Sequence, residues 1–167
     1  MFTSVQAFAK IWQDQSADTL KLMRALTTPS LSQAVADGHR TLGRIAWHTT
    51  TIMPEMFKYT GIHLQKVKED DPVPSTADMF GKMYDLVSKE LLMRVKSDWT
   101  DETLQIEDEL YGEKWKRGFT LWVLVTHEIH HRGQMTVLMR QAGLKVPGLF
   151  GPSYEEWGTY GMTPPVV

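Results

Sequence analysis

Residues 118–142 read GFTLWVLVTHEIHHRGQMTVLMRQA, an apolar segment that contains one dense group of polar side chains. Its apolar residues recur every three or four positions, which predicts an amphipathic helix, and Gly143 follows where that helix should end. At about 100° per residue, His127 and His131 lie about 40° apart around this helix and one turn apart along it. Both imidazoles can therefore reach one metal ion.

The two histidines are expected on the buried side of the helix, because their angular neighbours include Leu124 and Leu138. A single buried histidine is usually hydrogen-bonded to another protein group. Two adjacent buried imidazoles without a cation would turn their lone pairs towards each other, and an unsatisfied buried polar group costs about 1–3 kcal/mol. The pattern therefore favours a shared metal ion.

A stable metal site needs at least a third protein ligand, and the chain has no cysteine that could supply one. Among the other histidines, only His48 falls in the middle of a predicted helix and on its apolar stripe. We therefore predict that His48, His127 and His131 form the site. His39 and His63 fall at predicted helix ends and are expected in solvent. His130 is expected either in solvent or hydrogen-bonded to one of the metal-binding residues.

Two other motifs overlap the same segment. Residues 127–131 match H-E-x-x-H, in which two histidines bind zinc and the glutamate is the general base of a metalloprotease; Glu155 or Glu156 would then be the third ligand. This interpretation is less favoured, because Glu128 projects about 100° away from His127. A carboxylate di-iron site would need a second E-x-x-H motif, and the chain contains only one.

Three further helices are predicted from the same periodicity. The first runs from the N-terminus to Thr27. The second spans about 40–60, with a kink or restart at Pro54. The third begins at a cap on Ser75 or Thr76 and continues through Val95. The second helix should turn the side chains of Ile45, His48, Ile52, Met56 and Tyr59 inward. Residues 99–117 are expected to hold little regular structure, and the tail one short helical turn near 154–157.

Four long amphipathic helices without strand alternation predict an all-α four-helix bundle. The 167 residues suit a single domain, 1–167, with an irregular C-terminal tail. The net charge of −2 provides no basic surface for nucleic acid or anionic lipid. No segment approaches the roughly 20 apolar residues of a membrane-spanning helix, and the first residues lack the pattern of a signal peptide, so a cytoplasmic location is expected.

The segment LGRIAWH at residues 42–48 places a histidine on the second helix, and H-x-x-x-H-R-G-Q occupies residues 127–134. In these motifs, and in length and helix order over nearly the whole chain, the sequence resembles the DinB-like (DinB/YfiT) superfamily, whose members are regarded as metal-dependent enzymes. The resemblance implies an up-down-down-up bundle, commonly a homodimer, with zinc or nickel held by three histidines. Carried onto this chain, those ligands are His48, His127 and His131.

The resemblance implies a small-molecule substrate and, by analogy with some relatives, a low-molecular-weight thiol as cosubstrate. The function predicted is a metal-dependent enzyme, either a hydrolase or a thiol-dependent transferase. An ion with an open position would lower the pKa of bound water or thiol and polarise a substrate oxygen. The alternative is a non-catalytic binding or interaction protein that the metal stabilises. Gln134 is expected either to orient a bound water or line the pocket, or to bond a neighbouring helix.

Overall fold

The computed structural model describes residues 1–166, which form four long helices and one small hairpin. The helices are α1 (Val5–Ala25), α2 (Leu42–Phe57), α3 (Ala77–Asp98) and α4 (Arg117–Gln141). The hairpin consists of β1 (Glu107–Leu110) and β2 (Glu113–Lys116), and single 3₁₀ turns cover Pro29–Ser32, Lys58–Thr60, Thr103–Gln105 and Trp157–Tyr160. None of the described helices is long and apolar enough to cross a membrane.

The helices run up, down, down and up, as the resemblance to the DinB-like superfamily implied. The backbone N–H of Phe2 donates to the carbonyl of Gly118 at 2.9 Å, so α1 and α4 start at the same end. The rings of Trp47 and Phe80 pack edge to face with centroids 6.1 Å apart, which places the starts of α2 and α3 together at the other end. Because α2 and α3 are parallel, the connection between them must run back along the bundle.

Aromatic and aliphatic side chains from all four helices fill the core. Phe8, Trp12 and Leu22 of α1 are completely buried, as are Phe80 and Tyr84 of α3. Each such side chain contributes about 1.5–3 kcal/mol relative to an exposed position. The indole N–H of Trp12 donates to the carbonyl of Ser88 at 3.2 Å, which satisfies the one polar atom of that ring.

The second helix differs in two details from the prediction. It does not restart at Pro54, because Pro54 lies in the last turn of the helix. The missing N–H of proline there leaves only one backbone carbonyl without its helical hydrogen bond. Tyr59 does not point inward: its side chain is 45% exposed, because Lys58–Thr60 form a tighter 3₁₀ turn that changes the angular position of each residue. Gly61, with φ of 83°, ends the element as expected.

The prediction of little regular structure over 99–117 was wrong. Tyr111 and Gly112 both have positive φ, 54° and 81°, as in the two-residue turn that matches the twist of a β-hairpin. Leu110 and Glu113 are the closing pair of an antiparallel register. Apart from Leu110 no residue of the two strands is fully buried, so the sequence shows no apolar alternation. The hairpin is stabilised by strand pairing, which periodicity does not detect.

Two helix ends differ from the prediction in detail. Thr76 is the N-cap residue of α3, which is one of the two positions predicted, but its side chain makes no capping bond; instead the hydroxyl of Thr28 accepts from the Ala77 N–H at 3.2 Å. The turn in the tail covers Trp157–Tyr160 instead of 154–157.

Candidate metal centre

Three imidazoles from two neighbouring helices converge on one point. The Nε2 atom of His127 lies 3.3 Å from Nε2 of His48 and 3.1 Å from Nε2 of His131. All three rings offer a donor atom within 4.8 Å of the others. The antiparallel packing of α2 against α4 therefore brings together the three histidines that the sequence singled out.

The spacing of these nitrogens suits a metal ion. Ligands at a metal–nitrogen distance of about 2.0–2.1 Å in a tetrahedron lie about 3.4 Å apart. The two Nε2 separations are close to that value. Each neutral ring has one lone pair and one N–H, so three nitrogens facing each other cannot all be satisfied by mutual hydrogen bonds. The donor set fits a divalent ion that accepts imidazole ligands.

Gln134 sets the orientation of one ring. Its side-chain oxygen lies 2.6 Å from Nδ1 of His131, and an amide oxygen can only accept, so Nδ1 carries the proton. The lone pair of His131 is then on Nε2, which faces His127. The Nδ1 atom of His127 is buried without a hydrogen-bond partner among residues 1–166. Only the Nε2 side of the His127 ring is therefore held by polar contacts.

The surroundings keep the three rings neutral. Burial lowers the pKa of His48 and of His127 to about 4, with a further contribution from the neighbouring His131. Burial also lowers the pKa of His131, although the hydrogen bond with Gln134 opposes this shift. The positive charge of Arg40 adds to the lowering for all three rings. Neutral imidazole is the form that binds metal.

The cluster lies at the boundary of the core, whereas the sequence placed both α4 histidines on the buried side. His131 is buried, but His48 and His127 are half-buried. A cavity of about 590 Å³ adjoins His131, and a second of about 300 Å³ adjoins His48. The site is therefore open to small molecules from two sides.

Glu128 does not belong to this cluster, which excludes the metalloprotease interpretation. Its carboxylate is completely buried on the other side of α4, where it accepts hydrogen bonds from Tyr84 and Thr19 at 2.8 Å each. Burial raises its pKa to about 7. The proposed third ligands are also engaged elsewhere: Glu155 pairs with Arg140, and Glu156 accepts from backbone N–H groups.

The remaining histidines lie as expected. His39, His63 and His130 are exposed. The ring centroid of His130 is 5.0 Å from that of His131, so this ring borders the site. Arg40, which the sequence analysis did not single out, lines both cavities. Arg40 precedes the N-cap of α2, so helical periodicity could not assign it to a face. The sequence indicated its role only through its closeness to His48 in the chain.

Comparisons with known proteins identify the family of this chain. The model of the DinB family matches residues 1–163. This chain belongs to the DinB family. The uncharacterized protein YrdA of Bacillus subtilis (strain 168) is 42% identical over 165 residues, which is 99% of each chain.

Two solved structures of proteins described as DinB-like are similar to this one. A DinB-like protein from Bacillus cereus ATCC 10987 superposes with a TM-score of 0.85 at 40% identity, covering 89% of this chain and 99% of that one. The DinB-like protein YjoA from Bacillus subtilis gives a TM-score of 0.64 at 17% identity, covering 86% of this chain and 97% of its own. The second likeness concerns the fold alone.

Proposed function

We propose that this DinB protein is a metal-dependent enzyme whose divalent ion is held by His48, His127 and His131. The observation that carries the proposal is that Nε2 of His48 and Nε2 of His131 lie 3.3 and 3.1 Å from Nε2 of His127, beside two cavities. The site offers only imidazole nitrogen, which suits zinc, nickel, copper and iron. The resemblance to the DinB-like superfamily favours zinc or nickel among these ions.

The chain's own residues prepare the site for chemistry. Gln134 holds His131 with its lone pair towards the cluster. Burial and the charge of Arg40 keep the rings unprotonated. A divalent ion with three protein ligands supplies Lewis acidity at its open position, where it lowers the pKa of water or of a thiol.

The reaction class that follows is hydrolysis or transfer to a low-molecular-weight thiol. Such a thiol would come from solution, because the chain contains no cysteine. The larger cavity is in the size range of sites for small molecules, about 300–1,000 Å³.

Metal content and single substitutions test the site. Purified protein is expected to contain about one divalent ion per chain, measured by elemental analysis. His48→Ala, His127→Ala and His131→Ala should each abolish tight zinc binding in a competition titration with a chelator. His63→Ala, an exposed histidine outside the cluster, is the matched control. Retention of the metal after all three substitutions together would overturn the proposal.

A second measurement distinguishes the proposed enzyme from the rival function, a non-catalytic protein with a structural metal. Protein loaded with cobalt should change its visible absorption when a small thiol is added, because an open position accepts a new ligand. A spectrum that thiols leave unchanged, together with loss of helical circular dichroism on chelation, would favour the structural function.

We also propose that two copies associate through the exposed side of α4. Trp122, Ile129 and Val137 are 43%, 38% and 53% exposed and lie within one stripe of the helix. The charged residues of α4 between its two ends, Glu128 and Arg132, are both buried, so this stripe has no charge. A two-fold contact pairs the same patch of both copies, and an uncharged apolar stripe fits such a contact without repulsion.

A further inference from the structure

The cavity beside His131 has a divided lining. Ile45, Val137 and Leu138 provide an apolar wall, and the cavity reaches from them to the imidazole of His131. No acidic side chain contributes to this lining within the described chain. A bound molecule therefore meets apolar carbon along its length and the histidine cluster at one point.

Arg40 provides the fixed positive charge of this lining. It also borders the polar cavity beside His48, so it lies between the two openings of the site. Within residues 1–166 its guanidinium forms no ion pair and no hydrogen bond. Arg24 and Arg44 are also without an ion pair among residues 1–166, but neither borders this cavity, whereas Arg94, Arg117 and Arg140 each pair with a carboxylate.

This isolation has a chemical consequence. An arginine with all its donors free beside an apolar cavity is suited to bind a planar carboxylate through two parallel hydrogen bonds. A phosphate dianion would call for more positive charge than one guanidinium. The volume of about 590 Å³ admits a compact organic acid with an apolar body.

We propose that the substrate of this site is a small carboxylic acid, bound with its carboxylate on Arg40 and its apolar part against Ile45, Val137 and Leu138. This inference rests on the proposed function, because it takes the histidine cluster with its metal ion as the place where the substrate reacts. Bound in this way, the molecule presents the part between its carboxylate and its apolar end to the histidine cluster. Arg40 acts as a binding and positioning residue.

The test uses phenylacetate and its neutral analogue phenylacetamide, which match in shape and differ in charge. Binding to the full-length protein is followed by NMR titration, first with the metal removed by a chelator and then with zinc restored. Phenylacetate is expected to bind the metal-free protein at least about tenfold more tightly than phenylacetamide. Arg40→Gln should remove that preference. Arg44→Gln, which changes a residue in the first turn of α2 that borders the cavity beside His48 but not this one, should keep it.

Each outcome separates this inference from the proposed function. Equal binding of the two probes, or an unchanged preference in Arg40→Gln, would overturn the role of Arg40. Binding of phenylacetate only after zinc is restored would also overturn it, because the carboxylate would then be a ligand of the ion. If the protein binds phenylacetate through Arg40 but takes up no metal, the anion site stands and the metal function fails.

Discussion

The side-chain oxygen of Gln134 lies 2.6 Å from Nδ1 of His131. His131 precedes Gln134 by three residues on the same helix. Since the amide oxygen accepts the Nδ1 proton, the free lone pair of His131 is on the nitrogen that faces His48 and His127. The partner of a ligand histidine fixes both its tautomer and the direction of its ring.

Gln134→Ala is expected to lower zinc affinity by about 10–100-fold, because His131 loses the hydrogen bond that orients it. The fold should be little affected, since Gln134 is exposed. The measurement is a chelator competition titration, with unfolding by urea as the check on stability. Gln141→Ala, at the exposed end of α4, is the control. An affinity equal to that of the wild type would show that the hydrogen bond does not orient the ligand.

Metal binding should resist acid. A protonated imidazole cannot bind metal, and burial lowers the pKa of His48 and His127 from 6.5 to about 4, so both stay neutral at lower pH. The apparent zinc affinity is expected to stay nearly constant from about pH 7 to about pH 5 and to fall below that. Titrations across this range provide the measurement. A decline that already begins near pH 6.5 would mean that the rings have ordinary pKa values.

Glu128 should make the metal-free fold less stable as the pH rises. Its folded pKa of about 7 exceeds the ordinary value of 4.5, so the folded state binds more protons between these values. The free energy of unfolding therefore loses this contribution as the pH rises from about 4.5 to about 7.

Replacing Glu128 with Gln removes this titration and keeps an oxygen that Tyr84 can donate to. The stability of Glu128→Gln relative to the wild type is expected to increase from about pH 5 to about pH 8, measured by urea unfolding without metal. The exposed Glu107→Gln is the control. A difference that does not change with pH would place the carboxyl pKa outside this range.

Association through α4 can be tested with one charge. Ile129→Glu places a carboxylate in the middle of the uncharged stripe, where two copies would face each other, and is expected to yield monomers. Sedimentation velocity at micromolar concentration measures the outcome. Ile106→Glu, a comparably exposed isoleucine in the segment before β1, should leave the association unchanged. A wild-type protein that sediments as a monomer would refute the homodimer.

The helices were predictable because each is specified by its own residues. The predicted segment 118–142 differs by one residue at each end from α4, Arg117–Gln141, since periodicity and Gly143 are local signals. The three-residue and four-residue spacing also identified His48, His127 and His131 as candidates. A spacing of four on one helix brings two rings together whatever surrounds them.

Contacts between distant segments decided the rest. Whether Glu128 faces the histidine cluster or the core depends on Thr19 of α1 and Tyr84 of α3, which are far away in the chain. The hairpin at residues 107–116 is held by pairing between strands whose side chains are mostly exposed. Arg40 likewise borders two cavities only in the folded protein: one lies against α4, and the other lies between α2 and residues 69–72. The sequence alone determined the four helices and which histidines share a face. Tertiary packing decided which polar groups enter the core and which face a ligand, because burial depends on neighbours that local periodicity does not specify.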